Sequence, residues 1–125
     1  MQVSFNRIIL FGKNVDGLKK FYQENFHFEL IEEIKNEWVV LKAGLLEIAF
    51  HKIGDTYLDS SKPFRANSNT KLVFYINADL PTFRKEMLLK GIIVHEIKSF
   101  EPLVTLHFDG EDFESNVFQV VEKLS

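Results

Sequence analysis

One pattern of strands and a helix occurs twice along this chain, and this internal repeat limits the possible folds more than any other feature of the sequence. When the chain is shifted by 64 residues against itself, the first strand and helix of one half fall on those of the other. The last strands match at an offset of 72, which sets Glu47 on Gln119. A fixed period of this kind indicates one supersecondary unit present in two copies. The pairs matched at the first offset are Arg7 with Lys71, Leu10 with Phe74, His27 with Gly91, Phe28 with Ile92, Leu30 with Val94 and Glu32 with Glu96.

The first half predicts a strand, a helix and three further strands. Residues 6–11 are a short apolar run, and apolar residues then recur at helical spacing between residues 17 and 25. Asn14 and Asp16 precede that stretch and are suited to capping the helix. The three further strands are predicted at residues 28–34, 37–41 and 45–51, with a turn at Ala43 and Gly44 and a polar connecting loop over residues 52–70.

The second half repeats this order. A strand is predicted over residues 71–76, and Asp79 followed by Pro81 indicates the start of a helix that ends at Lys90 and Gly91. Three more strands are predicted at residues 92–97, 103–108 and 117–121, with residues 109–116 as the loop before the last one. The predicted fold is therefore α+β, with two tandem βαβββ repeats. It is one domain over residues 1–125, with repeat one at about 5–53, a loop at 54–69 and repeat two at about 70–123.

Composition excludes several classes of function. The chain has no Cys, so disulfides, thiolate metal sites and cysteine nucleophiles are ruled out. A net charge of −3 with interspersed signs gives no reason to expect nucleic acid as a partner. The N-terminus lacks the basic and apolar regions of a signal peptide, and no apolar stretch is long enough to span a bilayer. We therefore expect a cytoplasmic protein that acts without a membrane.

Two stretches of the chain resemble the vicinal-oxygen-chelate superfamily of glyoxalases, bleomycin-resistance proteins and extradiol dioxygenases. Residues 7–33 are similar to its opening strand, polar turn and helix ending in Phe-Tyr. Residues 112–122 are similar to its closing Asp-Pro-Asp-Gly-Asn and apolar-Glu-apolar strand. Phe113 replaces the Pro of that motif, Ser115 replaces the Gly, and His27 stands where the family usually has Gly after its first helix.

The resemblance implies that the repeats form a curved mixed sheet, an open cup with the helices on its outer face. In the family a metal sits at the cup floor, bound by the first and last strands of both repeats. The matching positions here are Arg7, Glu47, Lys71 and Gln119. Only Glu47 is a usual ligand, because Arg offers no lone pair, Lys must lose its proton and Gln is a weak neutral donor. We therefore expect no metal and no other cofactor.

Strand alternation places these four polar residues on apolar faces, where a core would have Val or Leu. One interpretation is a floor for a small polar or anionic ligand, because two cations and an amide outnumber the single acid. The other is a structural ion-pair cluster in which Arg7 and Lys71 hold Glu47. His51 and Tyr75 follow on the same faces, His51 as a ligand contact or general base and Tyr75 as a stacking residue.

The predicted function is that of a metal-independent small-molecule-binding protein, similar to the bleomycin-resistance branch, and we expect it to be a homodimer. The alternative is a glyoxalase-like lyase or isomerase, in which Glu47 is the general base and Arg7 or Lys71 stabilises an oxyanion, or a dioxygenase-like enzyme with Glu47 as a metal ligand. A third possibility is a partner-binding domain that takes no ligand.

Overall fold

A computed structural model describes residues 1–55, 61–66, 69–100 and 103–122 of the chain. They divide into two units, Met1–Phe64 and Arg65–Ser125. In the first unit, β1 (Arg7–Gly12) and α1 (Val15–Phe26) are followed by β2 (Glu29–Ile34), β3 (Trp38–Ala43) and β4 (Leu46–Lys52). The strands form one sheet in the order β1-β4-β3-β2, with β1 parallel to β4 and the other neighbours antiparallel. This is a βαβββ module.

The second unit has the same plan with one added interruption. It contains β5 (Lys71–Ile76), α2 (Leu80–Leu89), β6 (Ile93–Val94), β7 (Lys98–Phe100), β8 (Leu103–Glu111) and β9 (Val117–Glu122). The sheet order is β5-β9-β8-β6, and β7 also pairs with β8. Strand β5 is parallel to β9, and the remaining pairs are antiparallel. The predicted α+β fold of two βαβββ modules is confirmed.

Both helices are capped as the sequence predicts, although α1 begins at Val15, two residues before its predicted start. The side chain of Asn14 accepts from the backbone N–H of Gly17 at 2.9 Å, and that of Asp79 accepts from the N–H of Thr82 at 3.0 Å. Hydrogen bonds from the Thr82 side chain and backbone lower the pKa of Asp79. At the start of α2, the N–H of Leu80 donates to Glu122 at 3.1 Å, so the end of β9 satisfies a further free donor of the helix.

Three residues confirm the motif alignment through their backbone angles. His27 ends α1 with a φ of 59°, and its repeat partner Gly91 follows α2 with a φ of 78°. Ser115, which stands at the Gly of the closing motif, has a φ of 68°. These left-handed conformations favour Gly, and two of them fall at His27 and Ser115, where the motif has Gly.

Each helix covers one face of its own sheet. In the first unit the fully buried Tyr22 of α1 stacks on the fully buried Phe50 of β4, with ring centroids 5.3 Å apart. In the second unit Met87 of α2 is buried, as are Phe108 and Phe118 in the sheet. Burying a large apolar side chain contributes about 1.5–3 kcal/mol, so these residues anchor each helix to its sheet.

The register of the strands corrects the offset of 72 proposed for the last strands. In the first unit Arg7 lies beside Glu47, whereas in the second unit Lys71 lies beside Val117. The ladder counterpart of Glu47 is therefore Val117, at an offset of 70, and Gln119 is two residues further along its strand. A shift of two residues keeps every side chain on the same face, so the apolar pattern does not distinguish the two offsets.

The predicted strand at residues 92–97 is also corrected, because the structure divides it into β6 and β7. Val94 pairs with Gly110 and Lys98 pairs with His107. Between these pairs, residues 95–97 of the edge strand face residues 108–109 of β8, so the edge strand has one extra residue. The first unit has the same irregularity at the same place, since Leu30 pairs with Leu41 and Glu32 with Val40. In both units the edge strand therefore carries a bulge.

Strand β8 runs three residues beyond its predicted end at residue 108. Residues 109–111 continue the ladder with β9, and Gly110 lies opposite Phe118. A Cβ added to Gly110 would lie 2.5 Å from Cζ of Phe118. The glycine is thus required by the close approach of the ring and does not mark a turn.

The turn after β8 is organised by a buried carboxylate. Asp112 is 2% exposed and accepts from the backbone N–H of Glu114 at 2.9 Å. It also accepts from the backbone N–H and the side-chain amide of Asn116, at 3.0 and 2.9 Å. This is the first Asp of the closing motif, and it satisfies the donors of a turn that is itself buried.

The described helices are all too short or too polar to cross a membrane.

Candidate functional site

One face of the first sheet brings together three of the residues predicted from the sequence. Along β1 the residues of one parity, Arg7, Ile9 and Phe11, are exposed, while the alternate side chains are more buried. In the neighbouring strand Arg7 lies beside Glu47 and Phe11 beside His51. The strand alternation inferred from the sequence thus holds, and Arg7, Glu47 and His51 share a face.

Arg7 and Glu47 form a half-exposed ion pair. Both Nε and Nη2 of Arg7 contact the same carboxylate oxygen, Oε1 of Glu47, at 2.9 and 2.8 Å. The side chains are 37% and 31% exposed. A guanidinium has five N–H donors, so donors remain that have no protein acceptor among the described residues. Partly exposed ion pairs contribute at most about 1 kcal/mol to the free energy of unfolding. A ligand that also binds Arg7 would therefore reduce the stability of the fold very little.

Aromatic rings extend from the ion pair along the same face. The guanidinium carbon of Arg7 lies 5.6 Å from the centroid of the Trp38 ring, which is a cation–π distance. His51 lies edge-on to Trp38 at 5.7 Å and tilted against Phe11 at 5.5 Å. The indole N–H of Trp38 donates to Glu32 at 2.8 Å, which fixes the ring. The result is a row of three rings, Trp38, His51 and Phe11, with a charged pair at one end.

In the second unit the predicted residues Lys71 and Gln119 converge on a carboxylate that the sequence analysis did not select. Lys71 donates to Oδ2 of Asp109 at 2.8 Å, and Gln119 donates to Oδ1 at 3.1 Å. Partial burial acts to raise the pKa of Asp109, but the hydrogen bonds from Lys71 and Gln119 outweigh it and lower the pKa. Asp109 is therefore held as an anion.

Asp109 alters the charge balance inferred from the sequence. In the sequence, Arg7 and Lys71 outnumber Glu47, which is the single acid at the matched positions. In the structure each of these cations has its own carboxylate, Glu47 in the first unit and Asp109 in the second. A preference for anions therefore cannot rest on an excess of positive charge.

Tyr75 lies on the face of β5 that strand alternation predicts. It lies on the same face of β5 as Lys71 and Val73, and it is 67% exposed. Val73, which is 48% exposed, lies beside Gln119 in the ladder. This face of the second sheet thus combines exposed apolar groups with the Lys71–Asp109–Gln119 cluster.

A pocket of about 280 Å³ opens beside that cluster, where β6 and β7 are interrupted. The described residues that line it all carry ionisable side chains, namely His95, Glu96, Lys98, His107 and Asp109. His95 and His107 were not among the site residues predicted from the sequence. They come close together because the bulge in the edge strand faces the alternate polar residues of β8. The register that produces this arrangement cannot be read from the sequence.

The family metal does not fit the residues present. Arg7 and Lys71 occupy two of the four expected ligand positions, and each binds a carboxylate that would otherwise be available to a cation. Among the described residues, no three His, Asp or Glu side chains come close enough together to hold a metal ion. The donor set at the expected centre is therefore unsuitable for the divalent metals that bind imidazole and carboxylate.

The geometry at Glu47 also bears on the alternative of an enzyme. A general base must reach the proton that it removes, and Oε1 of Glu47 already accepts two bonds from Arg7. Base catalysis would have to use Oε2. The role of Glu47 as a general base stays a prediction.

No protein-family model matches the chain, and no curated protein matches it. Among solved structures, the chain is similar to lactoylglutathione lyase from Agrobacterium tumefaciens, with 16% identity and a TM-score of 0.74 over 97% of this chain and 94% of that one. It is similar to the fosfomycin resistance protein FosX from Listeria monocytogenes, with 16% identity and a TM-score of 0.75 over 99% and 96%. An integron cassette protein from the mobile metagenome of V. cholerae matches with 16% identity and a TM-score of 0.72 over 99% and 98%.

At these identities the likeness establishes the fold. The chain shares the vicinal-oxygen-chelate fold with glyoxalase-type and fosfomycin-resistance-type proteins, as its two motifs predicted.

Proposed function

We propose that the protein binds a small polar molecule without a metal ion, and that the exposed face of the first sheet provides the contacts. The observation that supports this most strongly is the Arg7–Glu47 pair lying against Trp38. The remaining donors of Arg7 would bind a carboxylate, phosphate or carbonyl oxygen of the ligand. His51 and Phe11 would pack against its apolar part.

The exposure of apolar groups on the same face supports this proposal. Ile9 is 47% exposed and Phe11 is 56% exposed, although strand residues of this kind are usually buried. Exposed apolar side chains grouped around a few polar ones are typical of a binding surface. The neighbouring structures, a lactoylglutathione lyase and a fosfomycin resistance protein, are both named for small-molecule chemistry. We therefore place small-molecule binding before a purely structural role for the pair.

A thermal-shift panel tests the proposal. Small carboxylates, phosphates and thioesters, each compared with an amine of matched size, should raise the melting temperature of the wild type. A ligand at 100 times its dissociation constant stabilises the fold by about 2.7 kcal/mol, which corresponds to a shift of several degrees. Arg7→Ala should lose this shift, because it removes the donors and the cation–π contact.

Lys20→Ala is the matched control, since it removes a cation from the exposed side of α1. It should keep the wild-type shift. Equal shifts for Arg7→Ala and wild type, or stronger stabilisation by the amines, would mean that the pair is structural.

Metal independence is tested by elemental analysis of the purified protein. We expect well below one Zn, Ni, Mn or Fe per chain, because Arg7 already neutralises Glu47 and Lys71 already neutralises Asp109, and each cation repels a metal ion from its own carboxylate. A content near one metal ion per chain that disappears in Glu47→Ala would contradict the proposal. It would restore the metalloenzyme alternative.

A further inference from the structure

The pocket at the interruption between β6 and β7 has the chemistry of a separate binding site. It lies in the second unit, and none of its lining residues belongs to the face proposed above. Its volume of about 280 Å³ corresponds to about nine water molecules of liquid. This is just below the usual range of pockets for drug-sized ligands, so it suits a small metabolite.

The backbone of the pocket is held from two sides. The N–H of His95 donates to the carbonyl oxygen of Asp109 at 2.8 Å, although His95 belongs to neither strand. The carbonyl oxygen of His95 accepts from Nε of Arg84, on α2, at 2.8 Å. Both backbone groups of His95 are therefore bonded, which holds the bulge in place beside the pocket.

The pocket offers a site for an anionic group. Lys98 and His107 lie directly opposite each other in the β7–β8 ladder, and both line the pocket. Neither has a carboxylate within ion-pair distance among the described residues. A bound carboxylate would accept a hydrogen bond from each of these two side chains.

The pocket also offers a site for a cationic donor group. Asp109 is ionised, and its two accepted bonds from Lys71 and Gln119 leave lone pairs on both oxygens. Glu96 provides a second carboxylate in the lining. When Lys71, which contacts Asp109, is counted with the lining, two lysines and two carboxylates balance in formal charge if the imidazoles are neutral. A ligand with separated charges and no net charge matches this arrangement.

We propose that this pocket binds a small zwitterion of the α-amino acid class. Its carboxylate lies against Lys98 and His107, and its ammonium group lies against Asp109 and Glu96. The proposal goes beyond the function proposed for the first unit and does not depend on it, because it uses different residues and a different ligand class.

The test is a titration followed by NMR with three probes of nearly the same size. L-Serine carries both charged groups, 3-hydroxypropionate lacks the ammonium, and ethanolamine lacks the carboxylate. At constant ionic strength, serine should shift the imidazole signals of His95 and His107 and the backbone amide of Lys98 in a saturable way. The two single-charge probes should bind at least about tenfold more weakly, since each leaves one side of the pocket unpaired.

Two variants separate the two sides of the site. Lys98→Gln should weaken the binding of serine by about tenfold, because it removes a charged hydrogen bond to the carboxylate of serine. Asp109→Asn should weaken the binding of serine but leave the binding of 3-hydroxypropionate unchanged. Lys85→Gln is the control, an exposed lysine on α2 outside the lining, and it should bind serine like the wild type.

Three results would overturn the proposal. The first is that serine shifts no signal of the pocket residues up to its solubility limit. The second is that the three probes bind equally well. The third is that Lys98→Gln binds serine as tightly as Lys85→Gln does.

Discussion

Replacing Asp112 by Ala should destabilise the protein by about 3 kcal/mol, because three hydrogen-bond donors lose the same acceptor. These donors are the backbone N–H of Glu114 and the backbone and side-chain N–H groups of Asn116, all within 3.0 Å of the carboxylate. Glu114 and Asn116 are themselves buried, so water reaches these groups poorly. In a chain of this length the loss corresponds to a fall in melting temperature of roughly 10 °C. Thermal and urea unfolding followed by circular dichroism would measure it.

Two further variants show whether the acceptor itself is responsible. Asp112→Asn retains one side-chain oxygen, and it should lose about half as much stability as Asp112→Ala. Asp55→Ala removes an exposed carboxylate and should be within about 0.5 kcal/mol of the wild type. If Asp112→Ala were as stable as Asp55→Ala, the turn would not depend on the buried carboxylate.

Gly110→Ala should destabilise the protein by about 2–3 kcal/mol through crowding in the core. The added Cβ would meet Cζ and Cε2 of Phe118 at 2.5 and 2.7 Å and the carbonyl oxygen of Ile93 at 3.1 Å. The Phe118 ring is fully buried and cannot swing into solvent. Urea unfolding of the variant gives the free-energy change directly.

A double-mutant cycle tests the assigned cause. Phe118→Leu removes the ring atoms that clash, so Gly110→Ala should cost less in the Phe118→Leu background than in the wild type. Gly44→Ala is the control, because its φ of +67° produces strain while nothing lies within 4 Å of the new Cβ. Its cost should be the same in both backgrounds. Equal costs for Gly110→Ala would show that crowding against Phe118 is not the cause.

The features of this fold that depend on local chemistry could be predicted from the sequence. Asn14 and Asp79 cap the two helices because short polar side chains reach the free N–H groups of the first turn. The alternation that exposes Arg7 and Tyr75 follows from the geometry of a strand. Both depend on residues close together in the chain, so they do not require a knowledge of tertiary pairing.

The features that were wrong or missed depend on pairing between distant segments. Asp109 and Gly110 resemble a turn because this dipeptide favours turn conformations, yet the ring of Phe118 covers the glycine and keeps both residues in β8. Gln119 was aligned with Glu47 in place of Val117, because a shift of two residues leaves the exposed and buried faces of the strand unchanged.

The partner of Lys71 was missed for the same reason. The sequence places Lys71 on an apolar face, where it needs an anion, and the ion-pair interpretation gave it Glu47 as that anion. The structure selects Asp109, which lies opposite Gln119 in the β8–β9 ladder. The sequence therefore predicted which residues share a face of a sheet, but it did not predict which side chains contact each other.

The bulges in the edge strands have a consequence for how the protein avoids aggregation. An edge strand presents unpaired N–H and C=O groups that can template a strand from another molecule. In β2 the extra residue Ile31 breaks this row, and the interruption between β6 and β7 breaks it in the second unit. Because Leu30, Ile31 and Ile34 are exposed on β2, a regular strand there would be apolar and available to other chains. The irregularity that creates a pocket in one unit thus makes one edge of each sheet a poor template for another strand.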